Sequence, residues 1–321
     1  MILLTGGTGY VGSHLLARLR QRGEPVRILV RDPGKYQHLV TGNVGVVKGD
    51  VTDPNSLGEA MQGIETVVHL VAIIRERPGG VTFERVNYGG TVNVVDAAKA
   101  AGVKRMIYQS ALGARPDPKL PYFDTKHRAE QYVQASDLQY AILRPSIIFG
   151  EGDEFVNKLA DLVRKPLFIL PAPIVPVVGD GSTPFAPIWI DDFVDVVSNI
   201  LDHPEYDGQV YELGGPRTVT YERMMDEIME VTGIKRAKLH VPIALMRLPV
   251  LIMDRVLPNP PVAIEQLKML ALDNSTSNNA AERLAGHPLT DFRQGIKFIN
   301  TPVKEQQQHV QALAAGKAKR D

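Results

Sequence analysis

A chain of 321 residues, 44% apolar and 22% charged, holds enough material for about two globular domains with sizeable cores. Lys plus Arg and Asp plus Glu balance at 36 each, so no global field favours nucleic acid, and no nucleic-acid partner is expected. There is no cysteine, which excludes disulfides, thiolate zinc sites and a cysteine nucleophile and fits a reducing, cytoplasmic setting.

The opening "MILLTGGTGY" has no basic leader region and meets glycine after five residues, so it reads as a first strand and not as a signal peptide. Further short apolar runs, "VRILV" (26–30), "VGVVKG" (44–49), "TVVHLV" (66–71), "RMIYQS" (105–110) and "YAILRP" (140–145), read as buried parallel strands. Helical periodicity lies between several of them, over 10–23, 85–102 and 122–136, the first two ending at Gly23 and Gly102. Alternation of this kind predicts an α/β fold, a Rossmann-type doubly wound parallel sheet. After residue 150 the rhythm breaks. Residues 170–184 read as a long loop or short strands, 185–215 as strand, helix and strand, and 216–300 as mostly helical and irregular. The expected organisation is a dinucleotide-binding domain from 1–150 plus 183–215, a smaller C-terminal α/β lobe from 151–182 plus 216–300, and a C-terminal helix and tail over 301–321. The apolar stretch 241–258 is interrupted by Arg247, Pro249, Asp254 and Arg255 and is too short and charged to span a bilayer. It reads as a core or pocket-lining helix, with a membrane-surface or partner-facing helix as the alternative.

Gly6-x-x-Gly9-x-x-Gly12 follows the first strand directly and opens the first helix. Glycines there permit a tight turn and close approach to a pyrophosphate, which meets the free amides and positive end of the helix. Thr8, Tyr10 and Val11, between the glycines, belong to the same expected contact. An acidic residue at the end of the second strand selects NAD, and a basic one accepts the 2′-phosphate of NADP. Arg31 takes the first place after that strand and Lys35 follows, which favours NADP(H); Asp32, one residue late, leaves NAD(H) open. Asp50 and Val51 suit the adenine amino group and ring face, and the backbone of Leu70, Val71 and Ala72 is expected to pass along the ribose and phosphates.

Gly6–Gly12, "GDVTD" (49–53), "VNYGGTVNVVDAAKAAGVKRMIYQS" (86–110), the Tyr122–Lys126 spacing, "LRPSIIFG" (143–150) and "YELGGP" (211–216) occur in one order. In this the chain resembles the extended and atypical short-chain dehydrogenases/reductases, the NAD-dependent epimerase/dehydratase type. It is similar in particular to the dehydrogenase-like accessory subunit of respiratory complex I and its bacterial relatives. The resemblance implies a Rossmann domain, a lobe over bound NADP(H), and a tyrosine phenol that exchanges a proton with substrate. A free phenol has a pKa of about 10, so it is expected to be made more acidic by Lys126, one turn along the same helix face, and by the helix dipole. Lys126 is also expected to hold the nicotinamide ribose. Ser110 is the expected orienting hydroxyl, although the family's working Ser/Thr aligns one position later, on Ala111. Asn87 resembles a position bordering the site, or else serves helix packing or a local backbone bond. Pro145 and Ile148 are expected beside the nicotinamide. Arg144 is read as a buried ion pair or a substrate contact, Asp153 as a helix cap, and Asp191 or Asp192 as another.

Two functions are compatible with these residues. One is an NADP(H)-dependent oxidoreductase or epimerase acting on a small molecule, for which the stretch 241–258 suggests an apolar one. The other is a weakly active or inactive NADP(H)-binding sensor, or a structural or assembly partner of a respiratory or photosynthetic complex at a membrane periphery. The eight histidines show no metal-binding spacing.

Overall fold

In the computed structural model, residues 1–165, 174–246 and 264–318 are described. Seven strands build the central sheet: β1 (Ile2–Thr5), β2 (Val26–Val30), β3 (Val44–Lys48), β4 (Thr66–His69), β5 (Arg105–Gln109), β6 (Gln139–Pro145) and β7 (Gln209–Leu213). Their order across the sheet is 7-6-5-4-1-2-3, and each neighbouring pair is parallel. The chain winds outward from β1 to β3, then crosses back to β4 on the other side of β1. That reversal opens a crevice at the carboxyl ends of β1 and β4.

Both faces of the sheet are covered, which is why its strands are continuous apolar runs. Period-two alternation sends Leu4, Ile28, Val68 and Ile107 to one face, where they pack with Leu15, Leu16 and Leu19 of α1 (Tyr10–Gln21). Leu3, Leu29, Val67 and Met106 point the other way. They pack there with Val94 and Val95 of α2 (Gly90–Ala100) and with Ala129 and Val133 of α3 (Pro121–Gln134).

A separate apolar cluster joins α4 (Phe155–Arg164) to α6 (Tyr221–Thr232) through Val156, Leu159, Met224 and Ile228. Between them in the chain, α5 (Ile190–Asp202) returns to the α1 face, through Phe193 and Val197. The strands Ile174–Val178 and Ala237–Val241 pair in parallel. The second of these lies inside a region read as helical and irregular. Its five residues carry Lys238 and His240, which meet Glu222 of α6, so the strand is held by its partner and by ion pairs more than by an apolar pattern. The C-terminal helix Val303–Ala314 lies against α1, with Ala314 in the cluster of Leu15 and Leu16.

Two local expectations change. Helix α5 begins at Ile190 with Trp189 at its cap, so Asp191 and Asp192 stand inside its first turn, and Asp192 accepts the Thr290 amide at 2.7 Å. The helix expected from residue 85 starts as a π-helix, Glu84–Gly89, before α2. Most of the apolar stretch 241–258 lies outside the described residues. Among the described residues, no helix is long and apolar enough to cross a membrane.

Candidate functional site

The turn after β1 demands glycine at Gly6 and Gly12. Gly6 has a φ of +79°, and its carbonyl accepts the Gly9 amide at 2.9 Å. A Cβ on Gly12 would stand 2.0 Å from the Gly6 carbonyl oxygen. Helix α1 therefore presses onto its own entry turn, and no side chain caps it. Its first-turn amides are left for an anionic ligand, with the helix dipole of the right sign. Thr8 is exposed, while Val11 is half-buried. Tyr10 turns inward: its ring sits edge-on to His14 at 5.5 Å and its buried hydroxyl has no partner.

Arg31 is exposed at the end of β2. Asp32 accepts the Gly34 amide at 3.1 Å, capping the turn Pro33–Leu39, and pairs with Lys35 at 3.6 Å. After β3, the Asp50 carboxylate accepts the amide and hydroxyl of Thr52 at 2.8 and 2.9 Å. Val51 is buried, and its carbonyl accepts from Asn93 at 2.8 Å. After β4, Leu70 and Val71 cover Gly6, whose added Cβ would meet the Val71 amide nitrogen at 3.2 Å; Ala72 is exposed. Asn87, fully buried in the π-helix, clamps this loop. Its side-chain oxygen accepts the Ile73 amide at 2.8 Å and its amide donates to the Ile73 carbonyl at 3.0 Å. The side chain makes no local bond of the kind expected: both contacts reach a backbone group fourteen residues away, on the loop beside the glycine turn.

Pro121 starts α3, which puts Tyr122 in the first turn and Lys126 one turn further. Tyr122 is half-buried, its ring edge-on to Phe83 at 5.8 Å and to Phe123 at 5.2 Å. Lys126 is 1% exposed. Its amine donates to the Gln109 carbonyl at 2.6 Å and the Tyr108 hydroxyl at 3.2 Å. Burial pushes the Tyr122 phenol up to about 12 and the Lys126 amine down to about 7, with Glu130 opposing the second shift. The expected acidification of the phenol is therefore reversed in the ligand-free protein. Desolvation outweighs the helix dipole, and the amine is engaged by β5.

Ser110 is 2% exposed, and its hydroxyl, like the side-chain oxygen of Gln109, is buried without a partner. Polar atoms left so at the ends of strands await a ligand or water. Ala111 is buried beside it and offers no hydroxyl. Pro145, the last residue of β6, is buried, and Ile148 beyond it is half-buried. Arg144 pairs with Glu130 of α3 through two bonds of 2.8 and 2.5 Å, the ion-pair reading. Asp153 stands one residue ahead of the cap position of α4, Glu154, and from there accepts the amides of Val156 and Asn157.

Three residues unremarked in the sequence matter here. Tyr108 receives Lys126. His69 stacks on Tyr108, with 5.7 Å between ring centres. Asn274 takes the Ser146 hydroxyl at 2.6 Å and the Ile147 amide at 3.2 Å, and reaches the Leu112 carbonyl at 3.4 Å. It thus ties the loops after β5 and β6 together. None has a motif; each is recognisable only by its contacts.

The glycine turn, the uncapped helix and the orphaned polar atoms fit a dinucleotide, and residues 6–159 match the NAD(P)H-binding family model. This chain is 33% identical to ceramide reductase of Caulobacter vibrioides over 60% of its own length and 58% of that protein's, so it spans about three fifths of that relative. It is 28% identical to NADH dehydrogenase (ubiquinone) 1 alpha subcomplex subunit 9 of Arabidopsis thaliana, over 94% of this chain and 80% of that one. Its fold is similar to an NADPH-dependent quinone oxidoreductase of Escherichia coli, with a TM-score of 0.73 at 21% identity, covering 94% and 98% of the two chains.

Proposed function

We propose that this chain is an NADP(H)-dependent oxidoreductase, or an epimerase using the same chemistry, with Tyr122 as acid/base and Lys126 as its partner. The observation that carries the reading is the meeting of a Tyr–Lys pair one helical turn apart with a glycine turn whose helix is left uncapped. The dinucleotide supplies or accepts a hydride when bound. Tyr122 gives a proton to the substrate oxygen, or takes one from it. Lys126, when protonated, favours the phenolate and donates to the ribose hydroxyls. Ser110, whose hydroxyl is free of protein partners, orients the substrate oxygen in place of the hydroxyl missing at Ala111. Asn87 and Asn274 hold the loops that flank them. The 2′-phosphate falls to Arg31 and Lys35, because Asp32 is committed to its own turn.

The surroundings of Tyr122 favour an apolar substrate. Phe83 and Phe123 flank its ring, and a small concavity beside it is walled by Leu120, Pro121 and Met269, with Lys119 and Lys268 as its charged members. The likeness to the Caulobacter ceramide reductase agrees with this.

A second reading, an NADP(H)-binding protein that serves a respiratory assembly, draws support from Ala111 and from the likeness to a complex I subunit along most of the chain. One experiment separates the two. The purified protein is titrated with NADPH and NADH, then offered apolar ketones and quinones with the preferred nucleotide. The oxidoreductase reading expects tighter NADPH binding and steady NADPH oxidation with an apolar carbonyl. Tight binding with no oxidation by any of them would instead support the assembly reading.

A further inference from the structure

A buried amine needs fixed acceptors, and Lys126 has two. One is the backbone carbonyl of Gln109, which any residue could supply. The other is the hydroxyl of Tyr108, whose ring also lies beneath the amine, 4.7 Å from Nζ to the ring centre. Tyr108 is fully buried on β5, between β4 and β6. Its ring stacks on His69 at an interplanar angle of 17°. His69 is fixed in turn by the Thr5 hydroxyl at 2.6 Å on Nδ1 and the Thr91 hydroxyl at 3.2 Å on Nε2. Thr91 donates its own proton to the Asn87 carbonyl at 2.7 Å. That direction assigns the imidazole proton to Nε2, with Nδ1 accepting from Thr5.

We infer that Tyr108 is the positioning residue for Lys126: a rigid, neutral platform built from β4, β5 and α2 holds the amine through the Tyr108 hydroxyl. The inference rests on the reading that Lys126 serves the cofactor. The titratable and charged groups around the amine are His69 on β4, Tyr108 on β5, Tyr122 and Glu130 on α3, and Arg144 on β6. Burial and the amine itself hold His69 down at about 3, so it stays uncharged. Burial holds the Tyr108 phenol far above its ordinary range, so it remains a neutral hydroxyl. Glu130 is occupied by Arg144. The direct side-chain acceptor is therefore an uncharged oxygen. Removing it leaves the ammonium form worse solvated and makes the amine easier to deprotonate.

The test uses the full chain with lysine labelled at Cε. The Lys126 resonance is identified by its loss in Lys126→Met and followed by NMR against pH without cofactor. Tyr108→Phe keeps the ring and removes the hydroxyl, and its midpoint is expected to fall by about 1 unit, the effect of one hydrogen bond to a charged group. An unchanged or raised midpoint in a Tyr108→Phe protein with native circular dichroism overturns the inference. If Tyr108→Phe unfolds instead, Thr91→Val, which cuts the support of both His69 and the Tyr108 hydroxyl, is expected to broaden or shift the same resonance, and an unmoved resonance overturns the inference equally. NADPH affinity against pH is read in parallel. A lowered Lys126 midpoint with pH-independent NADPH affinity would retain Tyr108 as the platform and remove the reading that Lys126 meets the cofactor.

Discussion

Lys126 sits where a lysine is unfavourable. Its folded-state amine titrates near 7 against an ordinary value of 10.5. Between those two values the unfolded chain binds the extra proton, so stability rises with pH across that window, and the full penalty applies below it. Lys126→Met, which fills similar volume without the charge, is therefore expected to raise the melting temperature of the ligand-free protein at neutral pH. The gain should shrink as pH rises toward 10.5, and thermal melts across pH will read it; a lowered melting temperature would contradict the account. The same variant is expected to bind NADPH more weakly, the usual opposition between stability and a strained site. The tyrosine and lysine spacing was visible in the sequence because a helix repeats each turn. The direction of both titration shifts was not, because burial depends on what β4, β5 and α2 stack around them.

At the scale of elements, α3 is pinned to the sheet by the pair between Arg144 and Glu130, the latter 1% exposed. Losing one member strands a buried charge, at a cost of about 3 kcal/mol or more, whereas replacing both with apolar side chains can be nearly neutral. Arg144→Met alone should therefore destabilise strongly. Adding Glu130→Met should restore much of the loss in urea unfolding, and additive losses would contradict the pairing. The strands of the sheet were readable in order, since both faces are covered and each is a short apolar run between turn signals. The π-helix at Asn87 was not. Within it the Asn87 side chain turns onto Ile73, fourteen residues away, while its carbonyl accepts from the Thr91 hydroxyl, and the first of these is a tertiary contact that no local pattern shows. The strand Ala237–Val241 was hidden likewise, being alternately charged and held by a distant partner.

At the scale of the molecule, the cofactor crevice follows from strand order, and strand order from parallel pairing about β1. Cofactor choice depends on its rim. Arg31→Asp places a carboxylate where a 2′-phosphate is expected. NADPH affinity should fall by at least 10-fold with NADH affinity held or improved, measured by fluorescence titration; equal losses for both would place the 2′-phosphate elsewhere. The glycine turn announced the dinucleotide in the sequence because its spacing is imposed by close backbone approach at Gly6 and Gly12. The chain beyond β6 carried no such constraint, and residues there are recognisable only through contacts such as those of Asn274.

The most direct measurement compares wild type with Tyr122→Phe in single-turnover oxidation of bound NADPH by an apolar ketone or quinone, with NADPH affinity determined for both. The account predicts nearly unchanged affinity and a hydride-transfer rate lowered about 10²-fold or more, the loss of one positioned acid/base. Equal rates in the two proteins would contradict it.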